Sequence, residues 1–195
     1  MRLRTVVLTA SVLGLAASLT ATADAATAKK KPVCNLITDG TGDGGNRVTR
    51  APSSDALDIV GGDIATGKGT VVGVLRLKGY NLDSDPAAYL GFNWNLRFTI
   101  KGTTYAFTYA DGRGAYAGPS AAFMMDSAQI ATPTVKVAGN TITWSVKRSA
   151  VPGLKKSGQT LINLAATSGY DMTSADAAST TKTYPDLYPS CVKAS

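Results

Sequence analysis

The sequence predicts an all-β protein: a single-domain antiparallel β-sandwich of the immunoglobulin-like or jelly-roll-like kind. Three observations favour this fold class. Large apolar residues alternate with polar residues over several short stretches, which is the period of a strand with one buried face. Turn residues separate these stretches at regular spacing. No stretch carries a sustained helical stripe, so short strands packed as a sandwich are the expected architecture.

Residues 1–25 precede the predicted domain and have the three parts of a secretory signal. Two arginines form the positive start, and residues 6–17 form an apolar core that is too short to remain as a membrane-spanning helix. Residues 23–25 then offer a small-x-small cleavage pattern. Residues 26–33 are interpreted as a basic flexible tail. We therefore expect a secreted, extracellular protein without a membrane anchor.

The predicted domain, residues 34–195, is bracketed by two cysteines, Cys34 and Cys191. In an oxidising compartment two lone cysteines most simply pair with each other, and free or intermolecular thiols are the alternative. A bond between them would close a loop that contains almost the whole domain. The chain-entropy model assigns such a loop a stabilisation on the order of 5 kcal/mol.

The strands are predicted from alternation along this domain. The clearest is 92–101, in which every even position is large and apolar. A turn at Lys101 and Gly102 joins it to the next alternating segment as a hairpin. Alternation also predicts that Trp94 and Trp144 are core residues. The strands are predicted at residues 56–60, 70–77, 92–101, 104–109, 135–137, 141–146 and 159–167, with another in 121–132.

Two segments are predicted to be irregular. A glycine-rich stretch between residues 60 and 70 is interpreted as a turn between the first two strands. The C-terminal tail, from about residue 173, is rich in Ala, Ser and Thr and shows no alternation of large apolar residues. We expect this tail to be irregular and to be held to the domain by Cys191.

Four short motifs carry a resemblance to known domains. They are an Asp-x-x-Gly-Asp stretch in residues 34–43, Leu-Asp-Ile at 57–59, Asp-Ile at 63–64 and Leu-Arg-Leu at 75–77. Over about residues 34–165 the chain resembles small exported bacterial β-sandwich domains that are DOMON-like or similar to family 9 carbohydrate-binding modules. The resemblance implies a sandwich fold and an accessory, sugar-binding role beside secreted hydrolases.

The composition excludes most catalytic chemistry. The chain has no His, and all 13 of its acidic residues are Asp. Ser-His-Asp and Cys-His arrangements are therefore absent, as are the common kinds of zinc site. An Asp-dependent glycoside hydrolase stays open as an alternative. It is less favoured because the general acid of such enzymes needs a raised pKa. The formal net charge is +7, but the basic residues are scattered, so we expect no nucleic-acid partner.

A glycine-rich stretch after Cys34 suits a calcium ion, which takes six to eight hard oxygen ligands. Asp39 and Asp43 lie in this stretch, and Asp58 or Asp63 could complete the site from the next strand. The alternative is a plain Asp/Gly turn. Calcium is the one cofactor that the sequence suggests.

Aromatic residues beside polar groups are typical of sugar sites, because sugar C–H faces stack on rings while hydroxyls need polar partners. We predict ligand binding at Tyr116, Tyr105, Tyr109 and Asp111, with Tyr116 in a glycine-rich loop as the best exposed. The alternative for Tyr105 and Tyr109 is a place in the core, because they share one strand face. Further aromatic candidates are Tyr80, Tyr89 and Trp94.

The sequence as a whole therefore predicts a secreted, non-catalytic binding domain for carbohydrate or a cell-wall polymer. The rival hypothesis is a structural or protein-interaction module of the extracellular space.

Overall fold

A computed structural model of the protein describes residues 35–42, 44, 54–66, 69–85, 88–89, 91–113, 118–154, 159–170, 173–180 and 184–185. All of these belong to one unit, Pro32–Ser195. The strands are β1 (Ile37–Thr38), β2 (Ile59–Thr66), β3 (Thr70–Leu77), β4 (Phe92–Ile100), β5 (Thr103–Asp111), β6 (Ser120–Met125), β7 (Ala128–Ala131), β8 (Thr134–Ala138), β9 (Thr141–Lys147), β10 (Thr160–Tyr170), β11 (Thr173–Thr180) and β12 (Tyr184–Pro185). Two 3₁₀ turns, Arg148–Ala150 and Pro152–Leu154, lie between β9 and β10.

The strands form two sheets in which every pair is antiparallel. The first sheet has the order β1-β2-β3-β9-β8. The second has the order β11-β10-β4-β5-β6-β7, and β12 also pairs with β10. The predicted antiparallel β-sandwich is therefore confirmed.

The hydrophobic core contains aromatic rings from both sheets. Phe107 of β5 stacks on Trp144 of β9 with 6.0 Å between ring centroids. A Cβ atom at Gly73 of β3 would lie 2.7 Å from the Phe107 ring, so the two sheets touch at this glycine. Trp94 and Trp144 are both fully buried, which confirms the prediction made from alternation.

The hairpin of β4 and β5 follows the predicted pattern. Lys101 and Gly102 form its turn with φ angles of 50° and 83°. Positive φ at both central residues is the requirement of a type I′ turn, whose twist matches that of the flanking strands. Residues 121–132, predicted to hold one strand, contain most of β6 and all of β7.

Strand β2 differs from the prediction in its position. Residues 55–57 form a turn, and β2 continues through Gly61 and Gly62 as far as Thr66. A Cβ atom at Gly61 would lie 2.8 Å from Oδ1 of Asn35, so glycine is needed there for close packing and not for a turn. The predicted turn is therefore wrong at Gly61 and Gly62, which lie inside a strand, and the chain passes from β2 to β3 only after Thr66.

The C-terminal segment is also more ordered than predicted. Instead of an irregular tail from residue 173, β11 pairs with β10 along the edge of the second sheet. Oδ2 of Asp176 accepts a hydrogen bond from the amide of Ile59 at 2.6 Å, and Ala178 is buried. Alternation of large apolar residues did not reveal this strand because its buried side chains are small.

Several predictions fall on residues outside the described ranges. Cys34 and Cys191 are among them, as are residues 1–25 and 26–33. The disulfide, the secretory signal and the basic tail therefore stay predictions.

Candidate functional site

A cleft of about 410 Å³ opens beside the end of β3. One wall is the turn that precedes β2, and the other is the loop that follows β3. The described residues that line the cleft are Ser54, Asp55, Ala56, Gly79, Tyr80, Asn81, Ser84 and Asp85. Hydroxyl, amide and carboxylate side chains thus line the same cleft as one aromatic ring.

The first wall is a tight turn that is tied to the end of β3. The amide of Leu57 donates to the carbonyl of Ser54 at 3.0 Å, and the Ser54 hydroxyl accepts from the Ala56 amide at 3.1 Å. The carbonyl of Asp55 accepts from the amide of Gly79 at 2.9 Å. These bonds satisfy the backbone of the turn and fix its side chains relative to the strand.

Arg113 holds the loop that forms the second wall. Its guanidinium donates to the carbonyl of Asp83 at 2.6 Å and to the carbonyl of Asp85. The hydroxyl of Ser54 donates to the carboxylate of Asp85, which joins the two walls directly. These hydrogen bonds therefore fix the two walls relative to each other.

Three aromatic rings, Tyr80, Trp94 and Tyr109, form a stack that begins in the cleft. The ring of Tyr80 lies 5.5 Å from the ring of Trp94, which in turn stacks on Tyr109 at 5.5 Å. Nε1 of Trp94 donates to the carbonyl of Ala56 at 2.7 Å, so the stack is also bonded to the first wall. Tyr80 is half-buried and is the only member of the stack that lines the cleft.

Asp111 accepts hydrogen bonds from two tyrosines at the same carboxylate oxygen. Tyr109 donates at 2.7 Å and Tyr80 at 3.0 Å. Burial is the main cause that raises the pKa of Tyr109 to about 12. Burial also raises the pKa of Tyr80 well above its ordinary value, and the neighbouring Tyr109 and Asp111 add to the shift. Both hydroxyls are therefore protonated at neutral pH, and Asp111 fixes the orientation of the Tyr80 ring.

Asp55 is the most accessible charge in the cleft, with 63% of its side chain exposed. The Lys78 ammonium lies 2.8 Å from Oδ1 of Asp55 and 3.9 Å from Oδ2 of Asp58. The hydrogen bond to Asp55 is the largest cause that raises the pKa of Lys78. Lys78 itself is not among the described lining residues of the cleft.

The structure places the predicted ligand-binding residues in three different settings. Tyr105 is 2% exposed and its hydroxyl accepts from the amide of Gly153, so its ring is not available for stacking. Tyr109 is buried as well, because both rings point from β5 into the sandwich. Asp111 reaches the cleft only through Tyr80. Tyr116 lies outside the described residues.

Most of the cleft was missed by the sequence reasoning. Tyr80 is among the aromatic candidates that the sequence indicates, whereas Ser54, Asn81, Ser84 and Asp85 are not among the predicted residues. The signal that could have found them is the polar turn sequence of residues 81–85, which directly follows a buried strand and an aromatic residue. Loops at strand ends are where binding residues concentrate.

The predicted calcium residues are only partly described. Oδ2 of Asp58, which is buried, accepts from the amide of Gly42 at 2.5 Å, and Oδ1 of Asp39 accepts from the amide of Gly40 at 2.8 Å. Asp43 lies outside the described residues, and the described ones contain no group of three residues suited to a metal. Asp63 is instead paired with Arg76 at 2.6 Å. Calcium binding stays a prediction that calorimetry on the chelated protein can test.

Within the described part of the chain, no helix has the length and apolar character needed to cross a membrane. No protein-family model, curated protein or solved structure matches the chain, so the resemblance to DOMON-like and family 9 carbohydrate-binding domains rests on the sequence motifs alone.

Proposed function

We propose that the chain is a secreted, non-catalytic binding domain whose cleft beside β3 binds a carbohydrate or a cell-wall polymer. The observation that carries the proposal is that polar side chains and Tyr80 line the same cleft. Its volume of about 410 Å³ lies in the range of about 300–1,000 Å³ that is typical of small-molecule sites. A sugar ring offers an apolar face and a rim of hydroxyls, and the cleft offers partners for both.

The polar groups of the cleft suit hydroxyl recognition in both directions. Asn81 can donate and accept, Ser84 carries a hydroxyl, and Asp55 and Asp85 are acceptors. Asn81 and Ser84 are exposed, so a ligand can reach them. The walls are already bonded to each other, and the second wall is bonded to Arg113, so little ordering is needed when a ligand binds.

Binding to a set of soluble and insoluble polysaccharides, measured by calorimetry and pull-down, tests the proposal. We expect Asn81→Ala and Ser84→Ala each to weaken binding by roughly fivefold to tenfold, the effect of one lost hydrogen bond. Gln129→Ala removes an exposed amide from β7 and is the matched control. If no polysaccharide binds and an extracellular protein is captured specifically, the rival hypothesis of a protein-interaction module is favoured.

Two aspartates in one cleft also raise the alternative of glycoside hydrolysis, which requires a pair of carboxyl groups. One of them must stay protonated at the working pH, and this needs an apolar setting. Asp55 is largely exposed and paired with Lys78, while Asp85 accepts the Ser54 hydroxyl. Neither has the required setting, which supports binding without catalysis. Release of reducing ends that is lost in Asp55→Asn or Asp85→Asn would contradict this.

The extracellular part of the proposal rests on residues 1–34 and Cys191. Mass spectrometry of the mature protein tests it. We expect a chain that starts at Ala26 and weighs two hydrogens less than its reduced form. A chain that keeps residues 1–25, or whose mass does not change on reduction, would contradict this part alone.

A further inference from the structure

The outer face of the first sheet carries an apolar cluster of its own. Val72 and Val74 of β3 alternate with core residues such as Leu75, so their side chains point away from the main core. Together with Ala65 of β2, which pairs with Val72, they form a separate buried cluster, called the outer cluster below. A strand that is apolar on both faces is typical of burial between two layers.

The outer cluster is more buried than its neighbours on the same face. Val74 is 1% exposed and Val72 is 4% exposed. Their register partners on β9, Thr143 and Ser145, point to the same side of the sheet and are partly exposed. None of the described strands forms a third layer here, because each pairs within one of the two sheets. The cover over the outer cluster is therefore local and lies over β2 and β3, next to the β1 edge of the sheet.

The chain reaches this face immediately before β1. Oδ1 of Asn35 accepts from Nη1 of Arg76, which shares the outer face of β3 with Val74. The amide of Leu36 donates to Asp63, the register partner of Val74. Asn35 has a φ angle of 55°, so the chain changes direction at this residue. The residues that precede it therefore start on the outer face, beside the outer cluster.

The segment before Asn35 is long enough to cover this cluster. The unit that contains the sandwich begins three residues before Asn35, with Pro32, Val33 and Cys34. Val74 is two residues from Arg76 along β3, which corresponds to about 7 Å. Three residues span at most about 11 Å, so the segment can extend from Asn35 over Val74. Proline and valine are apolar, and cysteine packs as a small apolar residue, so the segment matches the surface chemically.

We propose that residues 32–34 lie as a strap across the outer face of the first sheet and cover the outer cluster. The surface formed by β2 and β3 on this side is then the docking site of the chain's own N-terminal segment. The predicted flexible tail is shortened to residues 26–31. This proposal concerns a different face from the cleft and does not depend on what the cleft binds.

Thiol labelling of Val74→Cys tests the strap, with Cys34→Ser and Cys191→Ser included so that the introduced cysteine is the only thiol. In the chain that starts at Ala26 we expect labelling at least about tenfold slower than for Thr143→Cys, because burial of one valine-sized side chain shifts the opening equilibrium by about that factor. Val33→Asp should remove this difference, since a carboxylate on the strap opposes an apolar contact.

Two controls separate the loss of the strap from the loss of the fold. Thr27→Asp adds the same charge upstream of the strap and should leave the labelling of Val74→Cys slow. Val71→Cys lies on the core face of the same strand, where the wild-type side chain is fully buried. It should stay slow in the Val33→Asp variant, which shows that the sandwich is intact.

Two kinds of result would overturn the proposal. Fast labelling of Val74→Cys in the chain that starts at Ala26 is one, and slow labelling in the chain that starts at Met1 would then assign the cover to residues 1–25. Slow labelling that survives Val33→Asp is the other. In that case a rate that rises on dilution would indicate a second copy of the chain as the cover, and a rate independent of concentration would indicate another segment.

Discussion

The carboxylate of Asp63 is fully buried in β2, and its charge is compensated by one neighbour. Nη1 of Arg76 lies 2.6 Å from its Oδ2, while Oδ1 accepts from the amide of Leu36 at 3.1 Å. The same Nη1 donates to Oδ1 of Asn35 at 2.7 Å. This group joins β3 and β2 to the chain around β1. Loss of the Arg76 side chain would leave the buried Asp63 carboxylate without the cation that pairs with it.

Replacing Arg76 with alanine is expected to lower the free energy of unfolding by roughly 3 kcal/mol, at the lower end for a broken buried pair. The lower end applies because the Arg76 side chain is 25% exposed and water screens part of the charge. Urea unfolding followed by tryptophan fluorescence measures the loss. Arg97→Ala, an exposed arginine on β4, is the control and should change it by less than about 0.5 kcal/mol. Equal losses in both variants would refute the role of the pair.

The buried Tyr109 makes stability depend on alkaline pH. Its pKa is about 12 in the folded state and 10.0 in an exposed tyrosine. Between these values the unfolded chain loses a proton that the folded protein keeps. The free energy of unfolding should therefore fall by roughly 1.4 kcal/mol per pH unit for this tyrosine as the pH rises above 10. Below pH 10 the contribution is complete and constant.

Denaturant titrations on either side of pH 10 measure this slope. Tyr109→Phe keeps the ring against Trp94 and removes the titrating group, so its alkaline slope should be shallower by that amount. Parallel slopes for the two proteins would show that Tyr109 ionises as easily in the folded state as in the unfolded chain.

Residue-level prediction from sequence succeeded where side-chain size gave the signal. Trp94 and Trp144 are core residues as alternation required. The same alternation places Tyr105 and Tyr109 on the buried face of β5. The prediction that they bind a ligand relied on their aromatic rings and is not supported by that position. The cleft could not be predicted in this way, because its residues come from two turns that only the pairing of β2 with β3 brings together.

At the scale of elements, β3 and β5 approach each other closely across the sandwich at Gly73, which has no side chain. An alanine Cβ at Gly73 would lie 2.7 Å from the Phe107 ring and 3.0 Å from Leu96. Both neighbours are fully buried and have little room to move. An alanine at this position should therefore force the sheets apart.

Gly73→Ala is expected to lower the free energy of unfolding by about 1–3 kcal/mol, the usual cost of overpacking. Gly62→Ala on β2 is the matched control, because its nearest contact would be 3.3 Å away. We expect it to cost less than about 1 kcal/mol. Thermal or urea unfolding of the two variants side by side measures the difference. If Gly62→Ala costs as much as Gly73→Ala, the close approach at Gly73 is not the cause.

Strands with large alternating side chains were predicted well, and those built from small residues were not. β4, β5 and β9 carry an apolar ring or branched chain at every second position. β11 carries Ala, Ser, Thr and Asp, so its burial became visible only through its pairing with β10. In β2 the glycines imitate a turn, although they belong to a strand that passes close to Asn35.

On the scale of the whole molecule, β11 decides whether the sandwich is complete. It covers one edge of β10 and supplies Asp176 to the amide of Ile59 in the first sheet. A chain that ends at Tyr170 loses this strand and β12 and leaves the edge of β10 unpaired. Such an edge invites association with other chains.

We expect the chain that ends at Tyr170 to lose cooperative unfolding and to associate, while the chain that ends at Pro185 keeps the cooperative transition. Circular dichroism on heating and size-exclusion chromatography measure the two properties. Both shortened chains lack Cys191, so the comparison isolates the strands from the predicted disulfide. Identical behaviour of the two chains would mean that β11 adds nothing to the fold.

The position of β10 also affects the order in which the second sheet can form during synthesis. This strand lies between β11 and β4 in the second sheet, although about 60 residues separate it from β4 along the chain. During synthesis from the N-terminus, one edge of β4 must therefore wait for a strand that emerges near the end. A leader at residues 1–25 would meet the export machinery before a closed sandwich exists. Because of this strand order, the second sheet stays incomplete at β4 until β10 has been made.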